Sequence, residues 1–234
     1  MSTRRSVLGG LATLPLIGRA AHAATARAGT TMRRVQVGGR RVDYLVRLAG
    51  ASPAPMLLCF GGGDARLGIA EYYDAVYTPE TVYRDHHVIL PVGGSGVLFA
   101  RYDDEAAREL IAALTAAEPI AGRGLISGVS NGGRAAFRFA RAVPEAFRGF
   151  VTMPGAMAGS TVPDAWSDYA ILLACGTDDP RWQAETDRAH AVLNGQVGAV
   201  ERMALAGQGH VVAADYDIDP VYARLRAMEA RLGR

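Results

Sequence analysis

None of the 25 basic residues in this 234-residue chain is lysine; all are arginine. A Walker-type phosphate loop and a lysine Schiff base both need that missing amine, so both chemistries are excluded. The surplus of arginine and alanine is otherwise a matter of genomic base composition. Histidine is scarce at five residues and cysteine scarcer at two, which makes elimination a workable way to find a base or a metal site. Charge of one sign is also lacking: the formal net charge is +2, with no clustered basic face of the kind that binds nucleic acid. Aromatic residues make up only 7% of the chain, whereas 28 glycines punctuate it.

The one apolar stretch near the amino end is too short to span a bilayer. It follows Thr3-Arg4-Arg5-Ser6-Val7-Leu8, runs to Ile17 and leads to Ala21-His22-Ala23, a small-x-small cleavage site. Residues 1–23 therefore read as an export signal of the twin-arginine type, with Val7 where that pattern prefers an aromatic residue and a plain Sec signal as the alternative. The expected location is periplasmic or secreted, with the export machinery as a partner. Removing Arg4, Arg5 and Arg19 takes the formal charge from +2 to −1, so the basic character belongs largely to the signal. Residues 24–33 read as a loose leader and 34–234 as a single domain.

Within that domain, residues 34–48 form two short strand patterns joined by Gly38-Gly39, a hairpin signal. Short unbroken apolar runs follow at 56–60, 87–90, 124–127, 149–153, 169–175 and 200–205, as expected of strands covered on both faces. Helical patterns fall at 103–117, 133–143, 181–193 and 220–232. The alternation predicts an α/β fold: a doubly wound, mostly parallel sheet begun by an antiparallel hairpin, with ligand sites at the carboxyl ends of its strands. Cys59 and Cys175 then sit on strands separated by others, beyond bridging distance, and are expected as buried free thiols. Asp103 or Asp104 is most simply a helix N-cap.

The pentapeptide Gly128-Val129-Ser130-Asn131-Gly132 stands between such a strand and such a helix. A GxSxG there needs a sharp turn with the serine at its tip, and both glycines follow from close backbone approach. Ser130 is thus the candidate nucleophile, and it needs a base and an orienting carboxylate. His22 leaves with the signal, His86 and His87 stand at the entry of a strand, and His190 lies within a helical stretch. His210 remains, in the loop Gly207-Gln208-Gly209-His210 after the last strand. The acid is expected between serine and histidine in the chain, at Asp179, with Asp178 second; either can instead cap the helix behind it. Oxyanion donors are expected at the backbone N–H of Asn131 and in the loop Gly61-Gly62-Gly63, with Gly62 the chosen residue. Read as a phosphate cradle, that triple glycine fails the GxGxxG spacing.

Taken together, Gly128 to Gly133, Asp103-Asp104, Gly176-Thr177-Asp178-Asp179-Pro180 and Gly209-His210 resemble the α/β-hydrolase superfamily, most of all the secreted polyhydroxybutyrate depolymerase and feruloyl esterase group. The resemblance covers almost all of the mature sequence. It implies a triad of Ser130, Asp179 and His210, donors at Gly62 and Asn131, and no metal or organic cofactor. Phe60 stands where that group usually has a histidine before the glycine loop.

Only residues 154–168 occupy the place where superfamily members insert a lid, so an open site is expected, suited to bulky or polymeric esters. Residues 64–85 form the longest connection; Tyr72 and Tyr73 within it, and Trp182 beyond the acid, are candidate substrate-lining residues, though packing of a helix onto the sheet is the simpler reading of any one of them. No integral membrane association is expected. The function read from the sequence is an exported serine esterase or polyester depolymerase. A peptidase or acyltransferase on the same triad, or a non-catalytic binding protein of the same fold, are the alternatives.

Overall fold

The structure is a computed structural model that describes residues 27–94 and 98–233. The signal expected at 1–23 lies outside the described residues. The hairpin is present, as β1 (Thr31–Val37) and β2 (Arg40–Arg47), paired antiparallel so that Val35 faces Val42 across it. Its first strand starts inside the segment expected to be a loose leader.

The remaining strands are β3 (Met56–Phe60), β4 (His87–Val92), β5 (Gly124–Gly128), β6 (Phe147–Thr152), β7 (Ala170–Gly176) and β8 (Ala199–Leu205). Sheet order is β1-β2-β4-β3-β5-β6-β7-β8. From β4 onward every pairing is parallel, while β2 joins β4 antiparallel. Five helices connect and cover the strands: α1 (Leu67–Tyr77), α2 (Asp104–Ala117), α3 (Asn131–Ala142), α4 (Pro180–Leu193) and α5 (Asp219–Arg231). The α/β architecture expected from the alternation of patterns is therefore the one observed. Of the expected helices, α3 gains two residues at its start, Asn131 and Gly132, because the helix begins directly behind Ser130.

Period-two alternation assigns each strand residue to one of two cores. Leu58 and Phe60 of β3 point to the side of α2, α3 and α4, where Phe139, Phe150 and Leu173 also pack. Leu57 and Cys59 point to the other side, where α1 and α5 contribute Tyr73, Val221 and Leu225. Both faces of the central strands are thus buried, which is why those strands read as unbroken apolar runs. The run at 200–205 differs: β8 is an edge strand with Arg202 and Ala204 exposed. Asp103 is an N-cap, accepting a 2.8 Å hydrogen bond from the Ala106 backbone N–H.

Cys59 and Cys175 are both free and buried. β5 and β6 lie between their strands, so three strand spacings of about 4.8 Å keep them well beyond the reach of a disulfide. Burial pushes the Cys175 thiol up to about 11. No helix among the described residues is long and apolar enough to cross a membrane.

Candidate active site

Steric geometry explains the pentapeptide. Ser130 takes φ 57° and ψ −116°, a conformation L residues rarely adopt, at the junction of β5 and α3. A Cβ on Gly128 would stand 2.2 Å from the Gly132 carbonyl oxygen, and one on Gly132 would stand 1.9 Å from that of Phe60. No other residue fits either place, because in each case the obstacle is backbone. The strained turn is tied down by the Ser130 N–H donating to the Pro154 carbonyl at 2.7 Å and the Val129 N–H donating to that of Phe60 at 3.2 Å.

Opposite this turn, His210 Nε2 lies 3.0 Å from Ser130 Oγ, and His210 Nδ1 lies 2.8 Å from Asp179 Oδ2. Three strand ends, those of β5, β7 and β8, bring the three side chains together. Asp179 is buried, and its backbone holds the N-cap position of α4 without a capping hydrogen bond from its side chain, so the carboxylate is left for the imidazole. Asp178, the second choice for the acid, is exposed and accepts only from Thr177 Oγ1 at 3.2 Å. Neither aspartate side chain takes up the capping role open to both.

The His210 loop is fixed from two directions. From β7, the Asp178 N–H donates to the Gln208 carbonyl at 2.9 Å, and Thr177 Oγ1 accepts from the Gly207 N–H at 2.8 Å. Gly176 permits that approach, since a Cβ there would stand 2.1 Å from the Gln208 carbonyl. From α1, Tyr77 Oη accepts from the Val212 N–H at 2.9 Å, and Tyr72 Oη donates to the Val212 carbonyl at 2.7 Å. Tyr72 therefore clamps the backbone two residues beyond His210. Tyr73, also offered as substrate-lining, is fully buried, stacks on Tyr77 and bonds Ser127 Oγ at 2.6 Å. Its hydroxyl belongs to the core because α1 presents that face to the sheet. Trp182 does reach the site: its ring stacks on His210 at 5.3 Å between centroids.

The glycine loop lies against the serine, with a Cβ on Gly62 placed 3.5 Å from Ser130 Cβ. Asn131, chosen for its backbone, also uses its side chain, donating from Nδ2 to the Gly63 carbonyl at 3.1 Å. Among the described residues no protein acceptor pairs with the N–H of Gly62 or Asn131. The other histidines stand away. His87 accepts from the Ala49 N–H at 2.8 Å, and His86 accepts at Nε2 from Arg148 at 2.9 Å, both at the amino end of β4. The segment 154–168 packs down: Trp166 is buried and donates from Nε1 to the Ala140 carbonyl on α3 at 3.1 Å. His210 accordingly keeps 41% of its side chain exposed.

A hydroxyl bonded to an imidazole that is itself bonded to a carboxylate can lose its proton as it attacks, and free N–H groups beside it can meet a developing oxyanion. No protein-family model and no curated protein sequence matches the chain. Solved structures do. A ferulic acid esterase is similar at a TM-score of 0.64 and 14% identity, over 87% of this chain and 98% of that one. The S-formylglutathione hydrolase from Agrobacterium tumefaciens gives 0.64 and 14%, over 87% and 95%. The enterobactin esterase from Shigella flexneri gives 0.63 and 13%, over 91% of this chain and 62% of that one. At such identities the likeness is one of architecture: this chain has the α/β-hydrolase fold.

Proposed function

We propose that the protein is an exported serine hydrolase that cleaves carboxylic esters through an acyl-enzyme, as an esterase or polyester depolymerase. Ser130 Oγ attacks the ester carbonyl while His210 Nε2 takes its proton, and Asp179 stabilises the imidazolium that results. The N–H groups of Gly62 and Asn131 receive the oxyanion. His210 then gives the proton to the departing alcohol, draws another from the water that attacks the acyl-enzyme, and returns it to Ser130 Oγ as the acid leaves. The continuous hydrogen-bonded path from Ser130 through His210 to Asp179 is the observation that carries this reading. The esterases among similar structures support the reaction class, and the exposed His210 edge supports bulky or surface-bound esters as substrates.

A panel of p-nitrophenyl, feruloyl and polyester substrates with wild type and Ser130→Ala tests it. A loss of about 10⁴-fold or more on at least one ester is expected; equal rates would sink the proposal, and absent labelling of Ser130 by a fluorophosphonate would favour a binding protein. The same expression culture tests export. A chain with a new amino terminus near Ala24 in the periplasm or the medium is expected, and an uncut chain confined to the cytosol would remove this part of the reading.

A further inference from the structure

A cavity of about 490 Å³ runs along the outer side of α3, between that helix, the 156–161 segment and α4. Arg134, Arg138 and Arg141 line it, at the three- and four-residue spacing that stacks side chains on one helix face. Its apolar wall includes Phe137, Met157 and Trp166. Of the lining residues, Arg134 links the cavity to the candidate triad. The Arg134 guanidinium lies over the Trp182 ring at 5.1 Å, and that ring stacks on His210. Arg134 Nη1 also donates to Asn131 Oδ1 at 3.3 Å, one helical turn beyond Ser130.

Two acids line the same cavity, and both are occupied. Asp104 lies 3.8 Å from Arg138, and Glu185 lies 2.6 Å from Arg188. Among the described residues no carboxylate comes within ion-pair distance of Arg134 or Arg141. The cavity thus holds uncompensated positive charge beside an apolar wall, within the size range of small-molecule sites. A guanidinium is planar and donates in pairs, which suits a carboxylate.

We infer that this cavity is a specificity subsite for an anionic group, a carboxylate on an apolar ring or chain, carried by the ester that Ser130 attacks. The inference rests on the hydrolase reading above and deepens it. Charge on the alcohol portion is tested by 4-acetoxybenzoate against the neutral 4-acetoxybenzamide. Charge on the acyl portion is tested by mono-p-nitrophenyl glutarate against p-nitrophenyl pentanoate. In at least one pair the anionic ester is expected to have the higher kcat/KM by about tenfold, the factor equal to roughly 1.4 kcal/mol. That ratio is expected to collapse in Arg134→Gln, to fall in Arg141→Gln, to survive in part in Arg134→Lys, and to shrink as salt screens the charge. Arg134 is solvent-exposed, so its variants are expected to fold, and a melting curve checks this.

A ratio at or below one in both pairs, or one that Arg134→Gln leaves unchanged, overturns the subsite while the hydrolase reading stands. If no ester is turned over at all, the hydrolase reading fails, and calorimetry decides the cavity separately. Tighter binding of 4-hydroxybenzoate than of 4-hydroxybenzamide, lost in Arg134→Gln, supports an anion site. Equal binding of the two overturns it.

Discussion

Two neighbouring aspartates, identical in chemistry, differ here in everything that decides whether a carboxylate can serve a base. Asp179 is buried and bonds His210 Nδ1, whereas Asp178 is exposed and bonds a threonine hydroxyl. Asp179→Asn keeps the shape and removes the charge that stabilises an imidazolium; a fall in kcat of about 10⁴-fold is expected from such a change. Asp178→Asn is expected to stay within about threefold of wild type, as surface substitutions away from a site do. Steady-state kinetics on one p-nitrophenyl ester compares the two, and similar losses would reassign the acid. Sequence order alone left this pair open, because residues one apart at a helix start exchange places with a small backbone rotation. What separates them is which one the loop carrying His210 approaches.

Helix α1 bears on the candidate triad from behind the His210 loop. Its Tyr72 and Tyr77 grip Val212 from both its N–H and its carbonyl, so the helix sets where His210 can stand. Tyr77→Phe leaves the buried Val212 N–H without its acceptor, at a cost of about 1–3 kcal/mol. The expected outcome is a lower melting point together with a kcat that falls more than KM changes, read by calorimetry and steady-state kinetics. An unchanged kcat in a folded variant would mean that the loop is held adequately from β7 alone. These bonds had no signal in the sequence: they join positions 140 and 135 residues apart, and tyrosines on an amphipathic helix look alike whether they line a pocket or clamp a loop. By contrast, Gly128 was legible because the collision that excludes a side chain there, with the Gly132 carbonyl, arises within one strand, turn and helix; Gly132 is excluded by the Phe60 carbonyl on the neighbouring strand. The central strands were legible for a similar reason, since burial on both faces leaves an unbroken apolar run. The edge strand β8 departs from that rule, and its half-exposed residues show why the run at 200–205 contains Glu201 and Arg202.

Across the whole molecule, the carboxyl ends of the strands hold the candidate triad and the opposite rim holds a buried histidine. His86 is wrapped by protein and faces Arg148, which together push its pKa from 6.5 to about 4. Asp85 opposes that shift, while Arg226 and His87 reinforce it. The folded-state value lies below the unfolded one, so stability is complete above about pH 6.5 and is lost as pH falls from there toward 4. The loss reaches about 3 kcal/mol at the bottom of that window, at roughly 1.4 kcal/mol per unit. Urea midpoints measured from pH 7.5 to 4.5 are expected to drop less steeply in His86→Gln than in wild type. Parallel slopes would place the proton uptake elsewhere. At the other rim, the hydrogen bond from Ser130 to His210 spans 80 positions of chain. During synthesis the serine therefore leaves the ribosome well ahead of its base, and a nascent or truncated chain carries only an ordinary hydroxyl. On the proposed reading, reactivity toward a fluorophosphonate is thus a clock for the arrival of the His210 loop at Ser130, and it appears only once both segments have been made and folded together.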